Sequence, residues 1–186
     1  MCTYEMKTRR LYIRPMEIED SVELIQVYGD EDVMLGNAMD APLTHVDDMM
    51  AYLQEMIQTR QRLHLPPVYV LERLDSGFVI GTIQFSHFYQ NNAELGFLLS
   101  KSHWNQGYMS EAVQAMIEDG FQRYGLHRIE IQYDPQNIAC AHVCQKNGFV
   151  KEGTLRSVLR LNDERYHDLV ICSILKEEYE QRRESI

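Results

Sequence analysis

Between positions 107 and 124 the apolar residues Met109, Ala112, Val113, Met116, Ile117, Phe121 and Tyr124 recur at helical spacing. That pattern predicts an amphipathic helix with one buried stripe, closed by Gly125 as its C-cap. The runs on either side read differently. Residues 93–99 and 128–133 predict strands, the second through the alternation of Ile129 and Ile131. Near the start of the chain, alternation around Leu11 and Ile13 predicts a strand over 8–14 that ends at Pro15. Ile18, Val22, Ile25 and Tyr28 predict a helix over 18–28. Thr44 with Asp47 reads as the cap of a helix reaching Arg62, which Pro66 and Pro67 stop. Strands over 68–74 and 78–85 flank Asp75, Ser76 and Gly77, a hairpin turn. Asn137 opens a short helix that ends at Asn147 and Gly148. Strands over 149–161 and 166–175 and a terminal helical turn or two over 176–183 close the chain.

This order of elements predicts an α/β (α+β) sheet with helices on both faces. The strand 93–99, the helix after it and the strand 128–133 form a right-handed parallel crossover. No repeat, linker or low-complexity stretch interrupts the chain, so a single domain over 1–186 is expected, with its core at about 8–179.

Composition narrows the function classes. With 186 residues and 45% hydrophobic content, a chain of this size buries roughly 70% of its unfolded surface and needs no metal or disulfide to hold it. Eighteen basic against 28 acidic residues give a net charge of −10, which disfavours nucleic acid, whose binders neutralise phosphate, and suits a cationic amine. No apolar run approaches the ~20 residues of a membrane span. Residues 1–10 are polar, with no signal-peptide core. The four cysteines, Cys2, Cys140, Cys144 and Cys172, show no secreted framework. A reduced, cytoplasmic setting is expected.

The candidate chemistry lies where the strand 93–99 leads through a short loop, Trp104, Asn105, Gln106 and Gly107, into the amphipathic helix. A helix start offers unpaired main-chain N–H groups and the positive end of the helix dipole, which together bind phosphate. No Gly-Lys-Ser or Gly-Lys-Thr is present, so a phosphorylated cofactor would be gripped by backbone rather than by a lysine.

These residues resemble the GNAT superfamily of acyl-CoA-dependent N-acetyltransferases, and within it the RimJ/RimL type. Residues 8–15 resemble the opening strand of that group, 93–97 with 104–112 its cofactor motif, 137–149 its second motif, and 166–179 its closing strand. The resemblance implies a mixed, mostly antiparallel sheet of six or seven strands whose one parallel pair splays to admit pantetheine. It implies acetyl-CoA as cosubstrate, with pyrophosphate on the main chain of Asn105, Gln106, Gly107, Tyr108, Met109 and Ser110. The main chain of Phe97, Leu98 and Leu99 would meet the pantetheine amides, and the Asn137 amide would add a further contact. Trp104 and Met109 depart from the commoner family pattern, so binding would rest on main chain rather than on a second glycine.

Acetyl transfer needs a neutral amine, a polarised thioester carbonyl and a proton for the departing thiolate. Glu94 is the candidate base, and a main-chain N–H of Leu98 or Leu99 the candidate polariser. Relatives place a tyrosine or a serine in the acid slots, where this chain has Cys144 and Cys140. Cys140 is the candidate acid, against the reading of a small buried helix residue. His142 faces away from the two cysteines on the helix, so no metal site is expected. His87, Tyr89, His167 and Asp168 are candidates for the acceptor side.

The resemblance implies a protein N-terminal α-amine, often ribosomal, as acceptor. A small amine (a polyamine, an amino acid or an aminoglycoside) stays open, as does a non-catalytic acyl-CoA-binding regulator. A dinucleotide binder lacks its Gly-x-Gly-x-x-Gly turn here. Relatives commonly form dimers, so a homodimer is a candidate state.

Overall fold

Buried apolar strands and one-sided helices build this fold in the order that the periodicity predicts. The computed structural model describes residues 4–34, 42–160 and 165–184. Cys2 and the far end of the strand predicted to reach position 161 lie outside them.

The chain divides into two compact units, one of Met1–Gln84 with Phe97–Ala112 and one of Phe85–Gly96 with Val113–Ile186. In the first, strands β1 (Met6–Lys7) and β2 (Leu11–Pro15) precede a 3-10 turn (Ile18–Asp20), helix α1 (Ser21–Tyr28), the short helix α2 (Glu31–Met34), helix α3 (Val46–Arg62) and strand β3 (Tyr69–Arg73). Three elements contribute to both units: β4 (Val79–Tyr89), β5 (Asn92–Leu99) and α4 (Tyr108–Gln122). The second unit adds β6 (Arg128–Tyr133), α5 (Ile138–Asn147), β7 (Val150–Arg160), β8 (Tyr166–Leu175) and α6 (Lys176–Glu184).

Among the described residues eight strands run in the order β1-β2-β3-β4-β5-β6-β8-β7. That is one more than expected, because the two residues of β1 pair with Ile13 and Tyr12. β5 and β6 are parallel, Asn92, Ala93 and Glu94 lying opposite Arg128, Ile129 and Glu130. The ladder stops there, while β5 runs on to Leu99. β6 with β8 and β7 with β8 are antiparallel.

The helix predicted over 18–28 begins instead as a 3-10 turn, because the Asp20 carboxylate accepts from the Glu17 N–H (2.8 Å) and pairs with Arg14 (2.7 Å). The cap expected at Thr44 falls on His45, with no side-chain cap bond. Asp47 and Asp48 supply the negative charge that the start of α3 favours. In the first unit Leu24, Val27, Tyr28, Met49, Leu53 and Val70 form one apolar cluster, and the buried Tyr28 hydroxyl meets Thr82 Oγ1 at 3.1 Å. In the second, Phe85 meets Tyr124 edge-on and Phe121 meets Tyr179. The stripe read along α4 is buried from Met109 through Phe121.

One glycine sets where the end of β5 can lie. A Cβ on Gly81 would stand 2.3 Å from the Leu98 carbonyl oxygen, a backbone atom. The neighbouring Ser100 N–H donates to the Ile80 carbonyl (2.8 Å), so that oxygen cannot withdraw without breaking the edge. Gly81→Ala should therefore cost about 1–3 kcal/mol of stability, read by denaturant unfolding. A variant as stable as the parent would show that β5 has room to move.

Candidate functional site

In the first unit the loop after β5 is built to present main chain. A 3-10 turn (Lys101–His103) leads to Trp104, whose indole N–H donates to the Leu99 carbonyl (2.8 Å). Trp104 therefore ties the loop to the strand end. Asn105 and Gly107 both take positive φ, +58° and +80°, a conformation that costs glycine little and that asparagine tolerates better than most. Gly107 thus plays the turning role expected of it. α4 starts at Tyr108, and its first intrahelical bond runs from the Glu111 N–H to the Gly107 carbonyl (3.1 Å). Helix geometry leaves the N–H groups ahead of that bond without helical partners. Asn105 and Gln106 are exposed and Ser110 is half-buried, whereas Tyr108 and Met109 bury their side chains and can offer only main chain.

A charged brace, absent from any sequence pattern, holds this loop. The Glu111 carboxylate accepts from Thr8 Oγ1 (2.6 Å), the Arg10 N–H (2.7 Å) and Arg10 Nε (2.8 Å). Arg10 Nη1 also donates to the Gln106 carbonyl (2.9 Å), and its guanidinium lies 4.2 Å from the centre of the Tyr108 ring. Burial pushes the Glu111 carboxyl up, but the hydrogen bonds from Thr8 and Arg10 outweigh it and hold the group below its ordinary value. His103 packs edge-on to Tyr108. Burial, and then the nearby Arg73, lower its pKa and favour the neutral ring.

In the second unit Glu94 lies on β5 with a quarter of its side chain exposed, and its Oε2 meets His87 Nδ1 at 2.9 Å. His87 sits within β4 at φ +48°, a left-handed break in the strand that re-aims its side chain. The Asn137 Oδ1 accepts from the Cys140 N–H (2.9 Å), so Asn137 caps α5 as expected, and its amide nitrogen is a separate donor group. Gly148 ends the helix at φ +83°.

Cys140 is only 7% exposed, and Cys144 is more deeply buried still. The hydrogen bond that its S–H donates to Cys140, and then burial, push the Cys144 thiol well up. The Cys172 thiol donates to the Tyr133 hydroxyl at 3.7 Å, and burial raises the Tyr133 pKa. Burial also raises the Cys172 thiol, and Cys140 lies buried in one cluster with Cys144, Cys172 and Tyr133, which fits its reading as a small buried helix residue. Among the described residues no group of His, Cys, Asp and Glu could hold a metal ion. His167 Nδ1 pairs with Asp134 (2.9 Å), and Asp168 accepts from the Ser157 N–H (2.8 Å). Tyr89 is exposed. No helix among the described residues is long and apolar enough to cross a membrane.

Residues 10–150 match the family model of the acetyltransferase (GNAT) domain. The chain is 34% identical over 177 residues to the uncharacterised N-acetyltransferase p20 of Bacillus licheniformis, which covers 92% of this chain and 96% of that protein. It is 38% identical over 87 residues to the ribosomal-protein-serine acetyltransferase of Escherichia coli, covering 46% of this chain and 49% of that protein. Among solved structures, RimL, a ribosomal L7/L12 α-N-protein acetyltransferase in complex with coenzyme A, superposes with a TM-score of 0.80 at 23% identity, covering 92% and 97% of the two chains. That last likeness is one of fold.

Because Glu111 is held as a carboxylate, its contribution to stability is present above the pKa of the unfolded chain. It fades as pH falls through the lower folded value. Glu111→Gln should be less stable than the parent at pH 7, with the gap closing as pH drops below about 4. Denaturant unfolding at both pH values checks this. A gap independent of pH would contradict it.

Proposed function

The chain belongs to the GNAT family of acyl-CoA-dependent N-acetyltransferases, and on that premise we propose that its acceptor is a protein N-terminal α-amine, such as that of a ribosomal protein. The observation that carries the reading is the state of Glu94, a single half-buried carboxylate partnered by one imidazole. An α-amine with a pKa of about 8 is about one-tenth neutral at pH 7, whereas an alkylamine at about 10.4 is neutral to well under a thousandth. One carboxylate is adequate help for the first and scant help for the second. The similarity to a ribosomal-protein-serine acetyltransferase supports the same reading.

Acetyl-CoA supplies the acetyl group as an activated thioester. The residues around Gly107 fit its pyrophosphate: N–H groups at a helix start, preceded by two left-handed residues, beside a carboxylate already paired with Arg10. We assign the pyrophosphate to the main chain of Asn105, Gln106, Gly107, Tyr108, Met109 and Ser110, with the Ser110 hydroxyl as an added donor. The main chain of Phe97, Leu98 and Leu99 is assigned to the pantetheine amides and the Asn137 amide nitrogen to a further contact. Glu94 takes the amine proton, directly or through water, as the nitrogen attacks. A main-chain N–H of Leu98 or Leu99 holds the carbonyl oxygen as it gains charge. The carbon–sulfur bond then breaks, and the thiolate of CoA collects a proton. Cys140 and Cys144 occupy the slots where relatives place an acid, and the burial of Cys140, the candidate acid, predicts a small part in that step.

The test is release of free thiol from acetyl-CoA against ribosomal N-terminal peptides, polyamines and amino acids. We expect turnover with peptides, a drop of about 100-fold or more in Glu94→Gln, and a change below about tenfold in Cys140→Ser. Faster turnover on polyamines than on any peptide would overturn the acceptor class. An unimpaired Glu94→Gln would remove Glu94 from its role.

A further inference from the structure

We infer that Arg10 is the positioning residue of the anion-binding loop, acting on phosphate through the backbone rather than by touching it. The inference rests on the assignment of pyrophosphate to residues 105–110.

Arg10 uses its guanidinium fork on two acceptors at once: Nη1 on the Gln106 carbonyl and Nε on Glu111. The Gln106–Gly107 peptide is planar and trans, like every peptide bond in the described structure. Its C=O and N–H therefore point in opposite directions. With the carbonyl held by Arg10, the Gly107 N–H is turned to the side away from Arg10. A bond from a cation to that carbonyl also polarises the peptide and makes its N–H a better donor. The same side chain cancels a liability. Glu111 lies in the first turn of α4, where an unpaired carboxylate would repel an incoming anion. Arg10 and Thr8 engage its oxygens.

The packing keeps this arrangement in register. The guanidinium stacks on Tyr108, and Arg73 approaches the same ring at 5.9 Å. Tyr108 is itself buried, so the aromatic floor under Arg10 is fixed. A lysine would deliver the charge as a point and could not hold two acceptors at set angles. The arginine contributes geometry as well as charge.

The test compares CoA with pantetheine, which lacks the pyrophosphate, so the readout does not depend on knowing the acceptor. Dissociation constants are measured by calorimetry for CoA and by NMR titration for pantetheine, in the parent, Arg10→Gln, Arg10→Lys and Gly107→Ala, with thermal unfolding as the control for folding. We expect both Arg10 variants to weaken CoA by about tenfold or more while pantetheine changes by less than about twofold. Gly107→Ala, forced into a left-handed position, should show the same selectivity. Equal weakening of both ligands by the Arg10 variants would reveal a general structural role and overturn the inference. Selective loss in Gly107→Ala but none in Arg10→Gln would keep the loop assignment and remove Arg10. No selective loss in any variant would remove the loop assignment and the inference together.

Discussion

Main-chain N–H groups at the start of α4 have no partner inside their own helix, and the surrounding residues are arranged so as to keep them presented. A buried helix start would need these donors satisfied by the protein. Here they follow two left-handed residues, Asn105 and Gly107, at an exposed turn. The Glu111 carboxylate in the same helical turn is paired with Arg10 and accepts a hydrogen bond from Thr8 Oγ1. A donor set of this kind binds phosphate through geometry and dipole, with no lysine required.

The loop is fixed at both ends. Trp104 ties it back to the Leu99 carbonyl, and the end of β5 is itself set by the close approach of Leu98 to Gly81. Arg10 reaches the loop from the turn that precedes β2 and fastens the Gln106 carbonyl. Preorganisation of this sort lowers the ordering cost of binding, because the loop need not be frozen by its ligand. In the second unit the same economy holds around Asn137, whose side-chain oxygen caps α5 while its nitrogen remains a donor.

Much of this was readable along the chain because the signals are local. The stripe of α4, the cap and stop of α5 at Asn137 and Gly148, and the turn at Gly107 each depend on neighbours a few residues away, and each appears where its pattern places it. The brace was not readable. Arg10 and Glu111 are 101 residues apart, and neither position carries a periodic or turn signal that names the other. The His87–Glu94 pair was equally hidden, because it depends on a left-handed residue inside β4 that the alternation of that strand does not announce. Thr44 misled for a different reason. It has the chemistry of a cap, but the helix starts after His45, with Asp47 and Asp48 in its first turn. Cys140 sits in the family's acid slot by spacing, and only the fold reveals the thiols and phenol packed around it.

The most direct test of the account is a crystal structure of the protein with acetyl-CoA. The account predicts pyrophosphate oxygens within hydrogen-bond distance of main-chain N–H groups between residues 106 and 110, with Arg10 still on Glu111 and the Gln106 carbonyl. Pyrophosphate held instead by lysine or arginine side chains, away from the start of α4, would contradict it.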